Sequence, residues 1–322
     1  MSYPELYGAR MTKNPLIVSG PYTHENLAIF LFHGSDEIEG GGYTPLTEAF
    51  EKKHVLVHET GTVGQLEVEN LSETIDIFIQ AGDVLKGGRQ DRTIAIDFIV
   101  PTRSGRIPIP AFCVEMGRWH KRGFEDAAKF SSSTHSIHAK SIRLAAKRTF
   151  DQNAVWDSVA ESQKELGSAL KKSVHAPASP TSYQLSVEDS ALEKKKREYD
   201  EKLCGIAENR SDVIGYAFYV NGERNSADIY GSTQLFHKLW KKLLDVAILE
   251  AISGQNGNVT LPDKANLEEW LKEAGNVQRS DTKKAAPRTR LETKSYPGGV
   301  VFETFDEAVG DQAVLHTNVI SK

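Results

Sequence analysis

Between residues 27 and 114 the chain carries a series of short apolar runs, most of them alternating with polar residues, and this pattern constrains the fold most. The runs are LAIFLFHG, HVLVHE, GQLEVEN, TIDIFIQ, TIAIDFIV and RIPIPAFCVE, separated by Gly, Pro, Asn or Ser residues. Such runs are typical of an antiparallel sheet or sandwich. One helix is predicted to interrupt the series, TPLTEAFEKK, with Thr44 as its N-cap and Pro45 in its first turn.

The second half of the chain is dominated by helical spacing and one hairpin. SIHAKSIRLAAKRTF and DQNAVWDSVAESQKELGSALKK have apolar residues at helical intervals, and VEDSALEKKKREYDEKLCGI predicts a charged, solvated helix. VIGYAFYV-NG-ERNSADIYG predicts two strands joined by a type I′ turn at Asn221-Gly222. STQLFHKLWKKLLDVAILEAIS predicts a helix with one buried face. The predicted fold is therefore α+β, with a β-rich N-terminal half, helices packed on it and a later hairpin.

The last part of the chain is predicted to be an appended segment. Residues 1–255 are interpreted as the core domain. Residues 256–322 contain a short helix, DKANLEEWLKEAG, then the mobile basic linker NVQRSDTKKAAPRTR, and then late strands in PGGVVFETFD and AVLHTNV. Upstream, HAPASPTS is interpreted as a helix breaker, and SSSTHSIH as an exposed cap of the helix that follows it.

Bulk composition excludes several classes of protein. The net charge of −5 over 322 residues argues against a general nucleic-acid binder, which usually has a basic excess. Cys113 and Cys204 are far apart without a CxxC partner, which favours a reducing compartment and no disulfide framework. The N-terminus has no signal-peptide run, and no stretch reaches membrane-spanning length, so we expect a cytoplasmic protein.

One polar stretch between two apolar runs is a candidate binding loop. AGDVLKGGRQDR, from Ala81 to Arg92, is about a dozen residues long, far more than a hairpin link needs. Gly87 and Gly88 can expose consecutive N–H groups as an anion nest, and Arg92 adds a forked donor. The alternative is a long hairpin loop whose charges keep it solvated. The stretch matches neither a Walker motif nor a GxGxxG motif.

A second polar stretch, PAFCVEMGRWHKRG, follows a predicted strand. Cys113 and Glu115 lie on one face of that strand, and Arg118, Trp119 and His120 follow at its exit. Burial would raise the pKa of Glu115 and suit acid or base work, whereas an ion pair with Arg118 is the structural alternative. The Cys113 thiol is a nucleophile or a small buried apolar group, and Trp119 stacks on a ligand or belongs to the core.

Metal binding is left open by the histidines. His33 precedes the acidic residues of SDEIEGGG, and HVLVHE runs from His54 to Glu59, so His–carboxylate ligation of a divalent metal is one interpretation. The spacing matches no defined metal motif, and acidic residues in Gly-rich loops often form turns. The sequence assigns no metal ligand and no cofactor.

Six stretches together resemble one bacterial family. GGYTPLTEAF, VHETGTVGQLEVEN, GDVLKGGRQDR, IPAFCVEMGRW, DQNAVW and ADIYGSTQLFHKLWKKLL occur in the order typical of the family named for its association with ADP-ribosylglycohydrolases and rhodanese–phosphatase superfamily proteins. The resemblance covers residues 27–253 and leaves the rest unexplained. It implies an α+β domain linked by gene association to NAD and ADP-ribose metabolism.

The resemblance carries over motif positions and no assigned catalytic roles. The positions that match the family pattern are Tyr43, Glu48, Glu59, Asp83, Gly87, Gly88, Gln90, Arg92, Cys113, Glu115, Arg118, Trp119, Gln152 and Asp228. Asp83 stands where the pattern tends to have Glu, and Asp91 where it tends to have Asn. The shorter acid at Asp83 puts a strict catalytic role there in doubt.

From the residues and the resemblance together, we expect the two polar stretches to converge over one end of the sheet. Arg92 and Arg118 would hold phosphates, with Gly87, Gly88 and Gln90 around them and Trp119 against a base or ribose. Glu115, with Glu59 or Asp83, would transfer protons. The predicted function is an enzyme, hydrolytic in type, acting on an ADP-ribose or NAD-derived compound.

Two other hypotheses stay open. The chain could be a non-catalytic module that senses a nucleotide or binds a protein partner in a bacterial stress or defence system. The charged helix around residues 193–201 and the C-terminal segment would then be the protein-binding surfaces. In the third hypothesis the chain has no ligand, and the arginines pair locally with Asp83, Asp91 and Glu115.

Overall fold

The computed structural model describes residues 16–38, 42–119, 129–255 and 259–322. The strands in these ranges are β1 (Ile17–His24), β2 (Leu27–His33), β3 (Tyr43–Pro45), β4 (Val55–Glu59), β5 (Gln65–Asn70), β6 (Asp76–Ile79), β7 (Asp83–Gly87), β8 (Arg92–Ile94), β9 (Phe98–Val100), β10 (Arg106–Cys113), β11 (Phe130–Ser136), β12 (Val213–Val220), β13 (Glu223–Tyr230), β14 (Arg279–Lys284), β15 (Thr289–Tyr296), β16 (Gly299–Asp306) and β17 (Val314–Ser321).

The helices are α1 (Leu46–Glu51), α2 (Lys140–Leu144), α3 (Gln152–Leu170), α4 (Tyr183–Val187), α5 (Ser190–Leu203), α6 (Gly205–Glu208), α7 (Thr233–Ser253) and α8 (Lys264–Gly275), with a π-helix at Ala145–Thr149. The chain divides into two units. Unit 1 comprises Met1–Gly41, Tyr199–Leu244 and Gly254–Lys322, and unit 2 comprises Gly42–Glu198 and Asp245–Ser253. In the described part of the chain, no helix has both the length and the apolar character needed to cross a membrane.

Unit 2 contains antiparallel strands from most of the N-terminal apolar runs, whereas the first run, LAIFLFHG, was predicted for the same sheet but forms β2 in unit 1. Within the described residues the larger sheet of unit 2 has the strand order β11-β7-β8-β10-β5-β4, and a smaller one has the order β3-β6-β9. The pairs of the larger sheet are antiparallel, and β3 and β6 form a parallel pair. Leu66 and Val68, which alternate with polar residues along β5, and Ile109, which lies between two prolines in β10, are buried. The fold is α+β, as predicted.

Three local predictions in this unit are wrong. The supposed long link from Ala81 to Arg92 contains strand β7, so only a short turn, residues 88–91, joins β7 to β8. SSSTHSIH forms most of the edge strand β11 and not a helix cap, because its backbone pairs with β7. Thr44 does not cap α1, since it lies in β3 and Pro45 occupies the N-cap without a side-chain hydrogen bond.

Unit 1 is built on one long sheet. Within the described residues its strand order is β1-β2-β12-β13-β17-β16-β15-β14. Asn221 and Gly222 have φ values of 56° and 84°, which confirms the type I′ turn of the β12–β13 hairpin. Part of the core lies around Phe30, Tyr219 and Trp270, where α8 contributes Trp270.

Two predictions about charged segments are corrected. The basic stretch NVQRSDTKKAAPRTR is not a mobile linker, because it supplies β14 and the start of β15, and residues 279–322 continue the sheet of β1, β2, β12 and β13. Strand β14 is exposed throughout, and its charged side chains suit a sheet edge. Helix α5 is not fully solvated, since Leu192, Tyr199 and Leu203 are buried.

Candidate functional site

The turn between β7 and β8 is held in shape by glycines. Gly87 and Gly88 have φ values of +114° and +57°, which side-chain-bearing residues rarely adopt. A Cβ atom on Gly88 would lie 2.3 Å from Phe130 Cζ and 2.9 Å from Glu59 Oε1. The position therefore requires glycine for both backbone and space.

The N–H groups of this turn do not form an open anion nest. Gly87 N–H donates to Asp91 Oδ1 at 2.9 Å, and Arg89 N–H donates to Glu59 Oε1 at 3.1 Å. Gly88 N–H donates to the carbonyl oxygen of Lys129 at 3.0 Å. Two carboxylates of the protein already take the place that a bound anion would have, which corrects the predicted role of Gly87 and Gly88 as anion donors.

The segment after β10 meets this turn, as the sequence led us to expect. Arg118 Nη2 lies 2.7 Å from Glu115 Oε2 and 3.5 Å from Asp91 Oδ1. Arg118 Nη1 donates to the carbonyl oxygen of Gly88 at 3.5 Å, and Gln90 Nε2 donates to that of Glu115 at 2.7 Å. The two stretches therefore share one buried network of guanidinium, carboxylate and amide groups.

The pKa of Glu115 shifts in the direction opposite to the expectation. Burial by itself raises this pKa, but hydrogen bonds from Arg118 and Ser179 and the positive charge of Arg118 outweigh it, so the net pKa is lowered. Glu115 is thus an anion at neutral pH, paired with Arg118. The structural alternative for this residue, an ion pair at the strand end, is the one found.

Cys113 is a buried thiol whose backbone is clamped by a side chain from α3. Burial raises its pKa to about 11, which keeps it protonated and disfavours a nucleophilic role. Cys113 N–H donates to Gln152 Oε1 at 2.8 Å, and Gln152 Nε2 donates to the Cys113 carbonyl oxygen at 2.9 Å. The amide of Gln152 therefore completes the backbone hydrogen bonds at the end of β10, next to Arg92, with which Cys113 is in register.

Arg92 lies beside Glu59 and Trp119 at the centre of the site. Its side chain is 0% exposed, and its Nη1 donates to the carbonyl oxygen of Gln90 at 3.1 Å. Arg92 Nη2 is 3.8 Å from Glu59 Oε1, too far for a hydrogen bond. Among the residues that the structure describes, Arg92 Nε and Nη2 and Glu59 Oε2 are buried without a hydrogen-bond partner.

An aromatic ring lies against this arginine. The Cζ atoms of Arg92 and Arg89 lie 5.3 Å and 5.5 Å from the centroid of the Trp119 ring, within the range of cation–π contacts. Trp119 is 38% exposed, so it is not a core residue. We call Glu59, Arg89, Arg92 and Trp119 the Arg92 cluster.

A third segment, which sequence reasoning missed, completes the network. Ser182 Oγ donates to Asp91 Oδ2 at 3.2 Å, and Thr181 Oγ1 donates to the carbonyl oxygen of Met116 at 2.7 Å. The prolines of HAPASPTS predicted a break between helices, and that same irregular backbone presents hydroxyl groups to the turn. Only the run of small hydroxyl residues in this segment could have indicated such a role.

Asp83 does not belong to the site. It lies at the start of β7, four residues before Gly87, which is about 13 Å along an extended strand. Its carboxylate accepts from Gln80 N–H at 3.1 Å and from Ser136 Oγ at 3.4 Å. The prediction that Asp83 transfers protons at this site is corrected, because it treated as one loop a segment that is an extended strand.

In the described part of the histidine-rich segments, two histidines each contact one carboxylate. His33 contacts Asp212 at 3.1 Å, and His58 contacts Glu69 at 3.4 Å. No group of three or more His, Cys, Asp or Glu side chains within residues 16–38, 42–119, 129–255 and 259–322 is arranged to hold a metal ion. Glu39 and His120, which the sequence singled out, lie outside the described residues.

The fold and the site define an α+β protein with a buried arginine–carboxylate cluster under an aromatic side chain. Residues 15–321 match the family model described as the ARG and Rhodanese-Phosphatase-superfamily-associated Protein domain, so the chain belongs to this family. The match extends through the C-terminal strands that the resemblance left unexplained. No curated protein and no solved structure matches the chain.

Proposed function

We propose that the chain binds an ADP-ribose or NAD-derived compound at the Arg92 cluster and hydrolyses it. The observation that carries the proposal is the fully buried guanidinium of Arg92, two of whose nitrogens have no hydrogen-bond partner among the described residues. A buried charge without complete partners is costly to folding, and such groups concentrate at functional sites. Membership of a family associated with ADP-ribosylglycohydrolases is compatible with this substrate class.

The neighbouring charges support a division of roles among the predicted site residues. Arg118 already faces the carboxylates of Glu115 and Asp91, so its role is to hold the turn in place, while Arg92 binds the anion of the ligand. Trp119 offers a partly exposed face for a base or a ribose. Glu59 is the carboxylate best placed to accept a proton from an attacking water, because its Oε2 has no hydrogen-bond partner within the described ranges.

A binding experiment tests the first half of the proposal. Calorimetry and thermal shift with ADP-ribose, NAD and an ADP-ribosylated peptide should detect a ligand, and Arg92→Lys should weaken its binding about 100-fold, because lysine cannot replace the forked donor. Arg106→Lys is the matched control, since Arg106 lies on β10 and is 60% exposed. Absence of binding by the folded protein, or equal loss in both variants, would refute the proposal.

A turnover experiment tests the second half. Long incubation with the bound compound should release a hydrolysis product, and Glu59→Gln should abolish that release while circular dichroism stays unchanged. Recovery of the bound compound intact would exclude hydrolysis, and only the binding half of the proposal would remain.

The second candidate function is a non-catalytic module that senses a nucleotide or binds a protein. The specific observation in its favour is Glu115, which Arg118 holds as an anion and which therefore cannot act as an acid at neutral pH. Recovery of the ligand unaltered, together with a ligand-dependent change in protein association, would favour this candidate over the enzyme.

A further inference from the structure

We infer that the Arg92 cluster recognises a sugar-phosphate group, with an anionic oxygen at Arg92 and a sugar hydroxyl at Glu59. The inference rests on the proposed function and narrows it to the part of the ligand that enters the cluster. It starts from the polar atoms of the Arg92 cluster that the described residues leave without a hydrogen-bond partner, which are two donors on Arg92 and an acceptor on Glu59.

The hydrogen-bonding needs of these two side chains differ. Arg92 Nε and Nη2 can only donate, so they require an acceptor such as a phosphate oxygen. Glu59 Oε2 on an ionised carboxylate can only accept, so it requires a donor such as a hydroxyl. Arg92 Nη2 and Glu59 Oε1 are 3.8 Å apart, so a ligand that carries an acceptor and a donor close together can contact both residues.

A simple anion fits this pair poorly. Glu59 also accepts from Arg89 N–H at 3.1 Å, which fixes its carboxylate beside Arg92. A phosphate placed on Arg92 therefore lies near a second negative charge, and like charges repel strongly where water is excluded. A hydroxyl attached to the same ligand offsets this repulsion, because it donates to Glu59 while the phosphate accepts from Arg92.

Trp119 determines how such a ligand enters. Arg92 is 0% exposed beneath the partly exposed ring of Trp119, whose centroid is 5.3 Å from Arg92 Cζ. The nearby Gly117 has a φ of +84°, so the ring follows a turn and not a regular strand. A sugar phosphate reaches Arg92 when the ring moves aside, and the apolar face of the sugar then packs against the indole.

The test compares two ligands that carry one phosphate ester each, ribose 5-phosphate and methyl phosphate, which lacks hydroxyl groups. We expect the wild-type protein to bind ribose 5-phosphate at least about 10-fold more tightly in calorimetry. Glu59→Gln should weaken ribose 5-phosphate binding and strengthen methyl phosphate binding, because it removes both the acceptor and the repelling charge. Opposite changes in the affinities of the two ligands would support recognition of a sugar phosphate by Arg92 and Glu59.

Glu67→Gln is the matched control, since Glu67 lies on the adjacent strand β5 and pairs with the exposed Arg106. It should leave both affinities unchanged. If Glu59→Gln changes both affinities in the same direction, the sugar-phosphate inference is wrong, even where ADP-ribose still binds in an Arg92-dependent manner. If no phosphate compound binds and ADP-ribose does not bind either, the proposed function fails together with the inference.

The movement of Trp119 has its own readout. Ribose 5-phosphate should change the intrinsic tryptophan fluorescence of the wild-type protein, and Trp119→Phe should lose that change while still binding the ligand. An unchanged signal in the presence of bound ligand would show that the ring stays on Arg92, which would contradict the proposed entry.

Discussion

Two buried polar clusters, one in each unit, differ in how their hydrogen bonds are completed. In unit 1, Asp228 Oδ1 accepts from Asn318 Nδ2 at 2.9 Å and contacts His316 Nε2 at 3.0 Å, and the Tyr230 ring stacks on His316 at a centroid distance of 4.5 Å. In unit 2, the side chain of Arg92 is 0% exposed and that of Glu59 is 12% exposed, but both retain buried atoms that no described residue satisfies. Burial alone therefore does not distinguish these two clusters, whereas the hydrogen-bond partners of their side chains do.

The comparison predicts its largest stability effect in unit 1. Asp228→Ala should lower the free energy of unfolding by about 3 kcal/mol, because it removes the buried carboxylate that accepts from Asn318 Nδ2 and contacts His316 Nε2. Urea denaturation measures this loss. Asp281→Ala on the exposed strand β14 is the control and should cost less than about 0.5 kcal/mol. Equal effects of the two variants would mean that the Asp228 cluster contributes little to stability.

Gln152 in unit 2 also has its side-chain amide hydrogen-bonded at both ends, so its removal should likewise lower stability. Gln152→Leu should lower the free energy of unfolding by about 2 kcal/mol, since it removes two hydrogen bonds to the backbone of Cys113. The same denaturation experiment applies, with Gln152→Glu as a second variant that keeps the acceptor and loses the donor. An unchanged urea midpoint for Gln152→Leu would show that the two hydrogen bonds to the Cys113 backbone do not stabilise the fold.

Substitution of Arg92 should affect stability less than substitution of Asp228 or of Gln152. Arg92→Leu should lower the free energy of unfolding by no more than about 1 kcal/mol, because the loss of the bond to the Gln90 carbonyl oxygen and of the cation near Glu59 is offset by removal of a buried charge that the chain satisfies only in part. Ligand binding should be lost in the same variant. A stability loss above about 2 kcal/mol would show that the chain itself completes the partners of Arg92, and the distinction between the two clusters would fail.

The smallest expected effect is a pH dependence. The folded pKa of Glu115 is lowered from an ordinary value of 4.5, so its contribution to stability is present above about pH 4.5 and is lost as the pH falls below it. The difference in unfolding free energy between wild type and Glu115→Gln should therefore shrink between pH 5 and pH 3. A difference that grows on acidification would indicate a raised pKa and restore Glu115 as a candidate acid.

Much of the fold follows from local sequence patterns. Strict alternation predicted β5 and β10, and Asn221-Gly222 predicted the β12–β13 hairpin, because each pattern reflects short-range geometry. Strands β11 and β14 escaped prediction because they are edge strands with few buried apolar residues, so backbone pairing with a distant segment defines them. Their sequences look like a polar cap and a linker when read alone.

The candidate site, like the fold, could be predicted from the sequence only in part. Motif order and residue type indicated that the segments around Gly88 and Trp119 belong together. The sequence offered the Glu115–Arg118 ion pair as one of two alternatives, and the structure shows this pair. The sequence did not indicate that Ser182 would reach Asp91 or that Asp83 would lie at the far end of a strand. Each of these depends on distances between segments that are remote along the chain.

By itself, the sequence determined the α+β class, the position of the β-hairpin and the set of polar residues available for a site, since these depend on local periodicity and residue chemistry. The tertiary structure alone decided which charges neutralise each other. Arg118 and Arg92 are chemically identical in the sequence, but Arg118 faces two carboxylates, whereas Arg92 lies 3.8 Å from one. Because electrostatic interactions depend on distance and burial, only the folded arrangement could separate the structural arginine from the one proposed to bind a ligand.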